Sequence, residues 1–192
     1  MTVDHRAAAA AVAQLLRALG EDPTSARLSG TPARVADTLA EFVSGKNRDA
    51  AAVFDNAMQL EQVAAKDEIV ALKGLQFTSL CEHHLLPFSG SIDIAYVPGS
   101  KVAGFGAFSR LVQTVALRLQ MQERITAEIA DGVMMGLDAR GVLVFIEARH
   151  GCVSARGPRE TQATAVTTVS RGVLDEPAQR LIALEQLRRS EP

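Results

Sequence analysis

The residues best suited to chemistry in this sequence form one tetrapeptide, Cys81-Glu82-His83-His84. Cys81 and His84 have the Cys-x-x-His spacing that lets a tight turn bring a thiolate and an imidazole to one zinc ion. The other cysteine lies in a second dense patch, His150-Gly151-Cys152. Three ligands would leave one zinc position open for water, whereas a structural zinc is normally closed by four protein ligands. The two patches therefore predict a metal-centred active site suited to hydrolysis.

Other interpretations of the two cysteines stay open on the residues alone. A free cysteine is often a small buried apolar residue, and Cys81 and Cys152 could instead form a disulfide in an oxidising compartment. The two patches also hold three of the chain's four histidines, and neither alternative explains that clustering. We therefore favour the metal site and treat His5, in the N-terminal segment, as a bystander.

The composition fits one ordinary domain, or a domain with a helical extension. The chain has 192 residues, of which 47% are hydrophobic and 22% charged, and its formal net charge is -2. This near-neutral balance gives no electrostatic footprint for nucleic acid, and no run approaches the roughly 18 apolar residues that a membrane span requires. The alanine-rich N-terminal segment lacks a leucine-rich signal core. We expect a cytoplasmic protein with no nucleic-acid or membrane partner.

The elements that must position the two patches follow from the apolar periodicity. Helical spacing from Ala7 to Leu19, and again from Thr31 to Val43, predicts an N-terminal helical region that continues as a linker to residue 66. Residues 67–174 predict a β-β-α-α-β-β order, with the first strand running directly into Cys81. Pro177 then opens a C-terminal helix within 175–192. This order predicts an α+β fold whose metal patches lie at strand ends.

Within the central unit, a half-buried second strand is predicted over Ser91 to Val97, antiparallel to the first. Apolar spacing from Phe108 to Met135 predicts two consecutive helices or one long kinked helix. A third strand over 142–146 leads to the second patch, and a fourth is predicted over Thr161 to Val173. In an extended segment His150 and Cys152 would face the same side, because side chains alternate along a strand.

Four longer motifs lie along the chain, namely Thr31-Pro32-Ala33-Arg34, residues 77–88 with Gly90, residues 118–126, and Glu147 with His150-Gly151-Cys152 and Arg156-Gly157. Together and in this order they resemble the motifs of the GTP cyclohydrolase I family. The resemblance covers the chain from about Gly30 to Leu174. It implies the tunnelling fold (T-fold), in which antiparallel sheets from several subunits close into a barrel with two long helices per subunit outside. It also implies the family's usual homo-oligomer, a decamer of two stacked pentamers.

The resemblance further implies a role for each residue of the two patches. Cys81, His84 and Cys152 would bind Zn²⁺, and His83 and His150 would be the catalytic acid/base residues. The guanine imidazole ring of GTP would be hydrolysed with release of formate, giving 7,8-dihydroneopterin triphosphate. Zinc lowers the pKa of bound water to about 7, which would supply hydroxide to attack C8. A histidine whose pKa lies near neutrality can protonate the ring nitrogen as the ring opens.

Guanine recognition falls, by the same resemblance, on Gln122 and Glu123. A carboxylate accepts hydrogen bonds from the N1 and N2 edge of guanine, which adenine cannot offer in the same way. On the residues alone, Gln122-Glu123-Arg124 is a solvated helix face. Glu82, inside the first patch, is either a residue of the substrate site that supports the neighbouring metal ligands or an ordinary exposed acid. Its place in the patch favours the former.

The sequence departs from the family pattern at the predicted phosphate site. Family members usually carry Ser-Lys before the helix, where this chain has Gly106 and Ala107. Arg110, Arg156 and, from a neighbouring subunit, Arg34 still match anion-binding positions. Each lost charge-assisted hydrogen bond would cost about 1.5–3 kcal/mol of binding. The residues therefore leave open whether the substrate is GTP or a guanine nucleotide with fewer phosphates.

Three other functions remain as alternatives. A divergent cyclohydrolase could act on another guanine nucleotide or stop at a ring-opened product. A non-catalytic homologue could serve as a scaffold, although a scaffold does not need an open metal position. A zinc lyase of the same fold acting on a pterin would use a three-histidine metal set, and the two patches mix cysteine with histidine instead.

Overall fold

The computed structural model describes residues 2–59 and 68–188. They fall into two compact units, within Met1–Ser44 and within Gly45–Pro192. The predicted boundary near residue 66 and the last part of the predicted linker lie outside the described residues. Among the helices that are described, none has the length and apolar character needed to cross a membrane.

The first unit is a pair of helices, α1 (His5–Ala18) and α2 (Thr31–Phe42), as the apolar periodicity predicts. Asp4 caps α1 by accepting a hydrogen bond from the Ala7 backbone N–H at 2.9 Å, which satisfies one of the unpaired donors of the first turn. A proline in the first turn of α2 costs no helical hydrogen bond. His5, the histidine outside the two patches, pairs with Asp37 of α2 at 2.9 Å.

The second unit contains seven strands and four helices among the described residues. Its strands are β1 (Met58–Gln59), β2 (Val70–Cys81), β3 (Pro87–Val97), β4 (Lys101–Val102), β5 (Leu119–Gln120), β6 (Gly141–His150) and β7 (Ala165–Gly172). Its helices are α3 (Phe105–Ala116), α4 (Gln122–Leu137), α5 (Gly151–Ser154) and α6 (Pro177–Leu187), with short 3₁₀ turns at Ala51–Phe54 and Val173–Asp175. The helical region predicted between the second and third long strands is therefore two helices, separated by β5.

Five strands form the sheet that carries the site, in the order β5-β2-β3-β6-β7. All neighbouring pairs are antiparallel except β2 and β5, which pair in parallel through Leu80 with Leu119 and Cys81 with Gln120. The predicted α+β class with an antiparallel sheet is confirmed. Because β2 and β6 flank β3 and both end beside its first residues, their last residues, Cys81 and His150, come to the same end of the sheet.

One face of the sheet is covered, and the other is covered in part. Helices α3 and α4 pack on one face, where Ile94 and Ile129 are fully buried, and α6 packs on the other, where Ala95 and Leu143 are fully buried. The prediction that the second strand is half-buried is therefore wrong. The polar residues at alternate positions near the start of β3 indicated an exposed face, but α6 covers that face over the C-terminal half of the strand.

Three strand boundaries also differ from the prediction. β3 begins at Pro87 rather than Ser91, and β6 runs to His150 rather than residue 146, because Phe88 and His150 pair in the sheet. The residues between Phe88 and the predicted start of β3 are small or polar, so their composition did not indicate a strand. β7 begins at Ala165 rather than Thr161, at the residue opposite Ala148. Backbone pairing with neighbouring strands, which a single segment's composition does not reveal, sets these bounds.

Candidate metal centre and active site

The first patch is a tight turn between β2 and β3. The Cys81 N–H donates to the Leu86 carbonyl at 2.9 Å, and the Cys81 carbonyl accepts from the Leu85 N–H at 2.9 Å. Leu85 adopts a left-handed backbone conformation (φ 52°). This conformation is unfavourable for a bulky residue and occurs where the surrounding hydrogen bonds enforce it. The Glu82 N–H also donates to the Gln120 carbonyl of β5 at 3.1 Å. The turn is thus held from both sides.

This turn brings two of the predicted ligands together. His84 Nδ1 lies 3.9 Å from Cys81 Sγ, and the ligand atoms of Cys81, His84 and Cys152 all lie within 4.8 Å of one another. Both cysteines are free thiols, so the structure does not have the Cys81–Cys152 disulfide. Bonds of about 2.3 Å to sulfur and about 2.0 Å to nitrogen would place the donors of a tetrahedral metal about 3.5–3.8 Å apart. The residues therefore fit a metal ion.

Cys152 reaches this cluster from a helical turn. It lies in α5, directly after β6 ends at His150, so the prediction that both residues share one extended segment is wrong. A Cβ on Gly151 would lie 2.7 Å from the Pro87 carbonyl oxygen. Glycine is thus required where the start of α5 packs against β3, because any side chain would push the segment away.

The electrostatics of the thiols also favour a cation. Burial raises the pKa of the Cys152 thiol, and the adjacent Cys81 raises it further, while Arg156 lowers it to a smaller extent. Two thiolates this close would repel each other without a positive charge between them. A bound divalent metal supplies that charge and is coordinated by the deprotonated form.

His150 is held on two sides at the edge of this cluster. Its Nε2 lies 2.8 Å from Gln122 Oε1, and its ring stacks on Phe88 with a centroid separation of 4.7 Å and an interplanar angle of 6°. Burial lowers the pKa of His150, and the carboxylate of Glu123 raises it to a lesser extent. The histidine is therefore fixed in place and biased toward its neutral form.

The other predicted acid/base residue, His83, is exposed, with its ring edge-on to His84 at 6.2 Å. Its Nε2 lies 3.9 Å from a carboxylate oxygen of Glu82. Unlike His150, it is not clamped by a short hydrogen bond within the described residues.

Glu82 is not an ordinary exposed acid. Arg124 of α4 donates to both of its carboxylate oxygens, at 2.7 Å and 3.2 Å. This bidentate pair lowers the pKa of Glu82, against a smaller opposing effect of burial, and raises the pKa of Arg124. Because the pair joins the turn to α4, it fixes the turn that carries Cys81 and His84.

The predicted guanine residues begin α4 and differ in their surroundings. Gln122 is buried, 1% exposed, and its side chain bonds within the protein. Glu123, the next residue, is exposed in the first turn of the helix. The interpretation of the motif as a solvated face is therefore wrong for Gln122.

The predicted phosphate residues are dispersed and open. Arg110 lies on α3 and lines a cavity of about 210 Å³ with Gly104 and Gly106. Arg156 follows α5 and is exposed, and neither guanidinium takes part in a hydrogen bond or ion pair with another described residue. Arg34 belongs to the other compact unit, on α2, where it donates to the Thr31 hydroxyl at 3.2 Å.

The positions that depart from the family pattern, Gly106 and Ala107, lie in the first turn of α3. Gly106 faces open space apart from the Arg110 guanidinium. Ala107 is buried and packs in the main core.

Sequence reasoning missed three residues that hold the site, namely Arg124, Thr126 and Thr167. Thr126 lies four residues after Gln122, a helical spacing that could have revealed it. The other two contact their partners across more than 40 positions of sequence, so spacing gives no indication of them.

The fold and site define an α+β protein in which two cysteines and one histidine form a cluster that fits a metal ion, at one end of an antiparallel sheet. Comparison with known proteins then gives the family. The family model for GTP cyclohydrolase I matches residues 8–188, and the chain belongs to that family.

Relatives match over nearly the whole chain. A "GTP cyclohydrolase 1" of Leifsonia xyli subsp. xyli is 53% identical over 177 residues, covering 91% of this chain and 92% of the relative. A "GTP cyclohydrolase 1" of Bacillus subtilis is 43% identical over 183 residues, covering 94% of each. Among solved structures, an apo archaeosine synthase QueF-Like aligns with a TM-score of 0.45 at 15% identity, covering 54% of this chain and 93% of that one, a similarity too weak to bear on function.

Proposed function

We propose that this protein is a GTP cyclohydrolase I (EC 3.5.4.16), which hydrolyses the guanine imidazole ring of GTP with release of formate to give 7,8-dihydroneopterin triphosphate. The observation that carries the proposal is the convergence of Cys81, His84 and Cys152 within 4.8 Å of one another in a chain of this family. Of the two remaining histidines of the patches, His83 lies in the turn between Cys81 and His84, and His150 is the last residue of β6, directly before α5, which carries Cys152.

Zn²⁺ is the proposed metal. Two thiolates with one imidazole are a common ligand set for catalytic zinc, which keeps a fourth position for water. When bound, zinc supplies Lewis acidity that makes water a nucleophile near neutral pH.

The chain's own residues manage the protons of the reaction. Ring opening leaves negative charge on a ring nitrogen, and a protonated imidazole within reach can neutralise it. His150 is held by its hydrogen bond and its stacking contact, whereas His83 is exposed and able to reorient. We assign the fixed histidine to the ring-opening proton transfer and His83 to the later transfers that release formate and rearrange the ribose.

Guanine is recognised in this proposal at the start of α4. Glu123 presents an exposed carboxylate in the first turn, and a carboxylate can accept from both N1–H and the N2 amino group of guanine. Glu82 supports the ligand turn through Arg124 rather than by reading the base.

Three arginines are proposed to bind the phosphates, namely Arg110, Arg156 and Arg34 of a neighbouring subunit. The first two present guanidinium groups that are not engaged with other described residues, which leaves them able to bind phosphate oxygens. Gly106 and Ala107 favour one second candidate function, namely the same reaction on a guanine nucleotide with fewer phosphates.

The proposed assembly is the tunnelling fold of a homo-oligomer, a decamer of two pentamers. Among the described residues β7 pairs only with β6, and β5 covers only Leu80 and Cys81 of β2. Two open sheet edges on one subunit allow head-to-tail pairing between copies, which can close into a ring. Because both cysteines are free thiols, as in a reducing compartment, we propose a cytoplasmic location.

The proposal is tested by incubating zinc-loaded protein separately with GTP, GDP, GMP and guanosine while following formate and the absorbance and fluorescence of any pterin. Chelator-treated protein is the matched control and should be inactive until zinc is restored. Formate and dihydroneopterin triphosphate from GTP would support the proposal. Turnover of only a less phosphorylated substrate would support the second candidate, and formate from none of the four would contradict both.

A further inference from the structure

The side chain of Gln122 is fully committed within the protein. Its amide nitrogen Nε2 lies 3.2 Å from the Ile146 carbonyl oxygen, 3.0 Å from the Ala165 carbonyl oxygen and 3.2 Å from Thr167 Oγ1. Its amide oxygen Oε1 lies 2.8 Å from His150 Nε2. Gln122 therefore connects α4 to β6 and β7 through its amide nitrogen, and its amide oxygen contacts a histidine of the active site.

The orientation of this amide follows from its partners. Two of the three groups around Nε2 are backbone carbonyls, which only accept hydrogen bonds. The opposite orientation would place the amide oxygen against both carbonyl oxygens, acceptor facing acceptor, and would lose the two hydrogen bonds that the NH₂ group can donate, which is costly for the buried Gln122. The NH₂ group therefore faces the strands, and the oxygen faces His150.

The third partner, Thr167, is also fixed in direction. The Thr126 hydroxyl donates to the Gln122 backbone carbonyl at 2.7 Å, and it lies 2.7 Å from the Thr167 hydroxyl. Because a hydroxyl carries one proton, Thr126 has none left for Thr167 and must accept from it. Thr167 then keeps a lone pair for the Gln122 NH₂ group, whose two protons are shared among its three acceptors.

From this geometry we infer that Gln122 is a positioning residue for His150 and not a guanine contact. An amide oxygen can only accept, so His150 Nε2 must carry a proton and donate it. The neutral ring is thereby fixed as the Nε2–H tautomer, and Nδ1 is the nitrogen that carries the lone pair. The stack on Phe88 holds the ring plane, while Gln122 sets its rotation and tautomer.

The inference rests on the proposed function for its catalytic consequence. A proton accepted by His150 binds at Nδ1, which gives an imidazolium that still donates from Nε2 to Gln122, and the same proton leaves from Nδ1. Of the two adjacent residues that the family resemblance assigns to guanine, only Glu123 then reads the base. Gln122 should influence the rate of the chemical step and not the affinity for the base.

The first test needs no substitution and no substrate. The imidazole ¹⁵N and carbon-bound ¹H resonances of zinc-loaded, ¹⁵N-histidine-labelled protein report directly which ring nitrogen carries the proton. A spectrum recorded at about pH 8.5, above the ordinary histidine pKa, should show His150 as a single Nε2–H tautomer, and the His150→Gln variant assigns its signals by their loss. An Nδ1–H tautomer, or a mixture of the two, would overturn the inference.

The second test separates positioning from base recognition by kinetics. Gln122→Met keeps the length of the side chain but removes both its donor and its acceptor, and we expect kcat to fall about 10- to 100-fold, as for other residues that orient a catalytic group. KM for the nucleotide should stay within about 3-fold of wild type, whereas Glu123→Gln should raise it. A rise in KM with unchanged kcat for Gln122→Met would assign this residue to guanine and overturn the inference.

The third test uses two variants at Thr167, so that the inference can be tested even if Gln122→Met does not fold. Thr167→Val removes the hydroxyl that accepts from the amide while keeping the side-chain volume, and Thr167→Ser retains it. We expect a lower kcat and a partly mixed His150 tautomer for Thr167→Val only, and equal behaviour of the two variants would contradict the inference. Because the resonance measurement uses no substrate, wild-type protein that failed to hydrolyse GTP would defeat the proposed function and leave the tautomer assignment to be decided on its own.

Discussion

The Cys81–His84 turn and the start of α3 are built in opposite ways. At the turn, the ligand atoms of Cys81, His84 and Cys152 converge within 4.8 Å of one another, and the flanking Glu82 is tied to α4 by two hydrogen bonds. At the start of α3, Arg110 is exposed, and its guanidinium takes part in no hydrogen bond with another described residue. The difference fits the proposed roles of the two regions. The Cys81–His84 turn, the fixed region, is held in place before substrate binds, whereas the start of α3, the open region, leaves the Arg110 side chain able to adjust to a phosphate.

The sharpest division within the fixed region should fall between two adjacent histidines. His84→Gln removes a proposed metal ligand, and we expect zinc affinity to fall at least about 100-fold. Loss of a residue that only supports a ligand already costs up to about 100-fold, and loss of the ligand itself should cost no less. His83→Gln should retain zinc and lose about 10²- to 10⁴-fold in kcat, because only proton transfer is removed. Zinc content by atomic emission after dialysis against a weak chelator, with formate release measured in parallel, checks both.

These two residues are a matched pair, since both are exposed and both lie in the same turn. Equal zinc loss in both variants would mean that the turn itself had collapsed. Retention of zinc by His84→Gln would remove His84 from the ligand set.

The open region should respond in binding rather than in rate. Arg110→Met removes one charge-assisted contact to phosphate, worth about 1.5–3 kcal/mol, and we expect KM for GTP to rise about 10- to 100-fold with kcat nearly unchanged. Steady-state kinetics with GTP, GMP and guanosine measures this, and guanosine is the internal control because it has no phosphate. A similar rise in KM for all three substrates would place Arg110 outside the phosphate site.

The parts of the site that sequence alone predicts are those made by local chain geometry. The Cys-x-x-His spacing requires only the turn that follows β2, and a strand leading into Cys81 can be read from its apolar residues. The contacts that hold the site are different, because Arg124 meets Glu82 across 42 positions and Thr167 meets Gln122 across 45. Both depend on how α4 crosses the sheet, which is a property of tertiary packing that no spacing encodes.

The same reason explains the errors in the strands. Ser89, Gly90 and Ser91 have low strand propensity, yet they belong to β3 because strands on both sides supply backbone partners. Cys152 was expected in an extended segment, but the chain ends β6 at His150 and turns into α5. The spacing of the two patches predicted that their residues meet. The backbone conformation that brings Cys152 to the cluster is set instead by strand pairing and by close packing around Gly151.

The ion pair between the turn and α4 should have a smaller effect than the ligands themselves. Arg124→Met leaves the carboxylate of Glu82 without its partner, and we expect activity to fall about 10-fold through looser metal binding. Because Arg124 lowers the pKa of Glu82 below its ordinary value of 4.5, the pair adds stability that is present above that value. That stability is lost as the pH falls through the lower folded-state pKa.

Chemical denaturation of wild type and Arg124→Met, from about pH 6 down to about pH 3, measures this difference. Wild type should be the more stable at the upper end, and the two should converge on acidification. Glu82→Gln, which keeps the shape but not the charge, should remove the pH dependence in the same way. A stability difference that grows as the pH falls would contradict the assigned direction.

The smallest effects come from placing the same methyl group in each region. In the fixed region, Gly151→Ala would set a Cβ 2.7 Å from the Pro87 carbonyl oxygen, and the backbone must shift to relieve the overlap. We expect a loss of about 1 kcal/mol or more in the free energy of unfolding, accompanied by weaker zinc binding because Cys152 is the next residue.

In the open region, Gly106→Ala would meet only the Arg110 guanidinium, at 3.6 Å. Residue 106 lies in the first turn of α3, where alanine restricts the unfolded chain more than glycine does, and we expect a gain of about 0.5 kcal/mol in stability with zinc affinity unchanged. Thermal denaturation and zinc titration of the two variants, measured side by side, give opposite signs if one region is tightly packed and the other open. A loss of stability in both would show that the start of α3 is as closely packed as the fixed region, and the contrast between the two regions would then have to rest on hydrogen bonding alone.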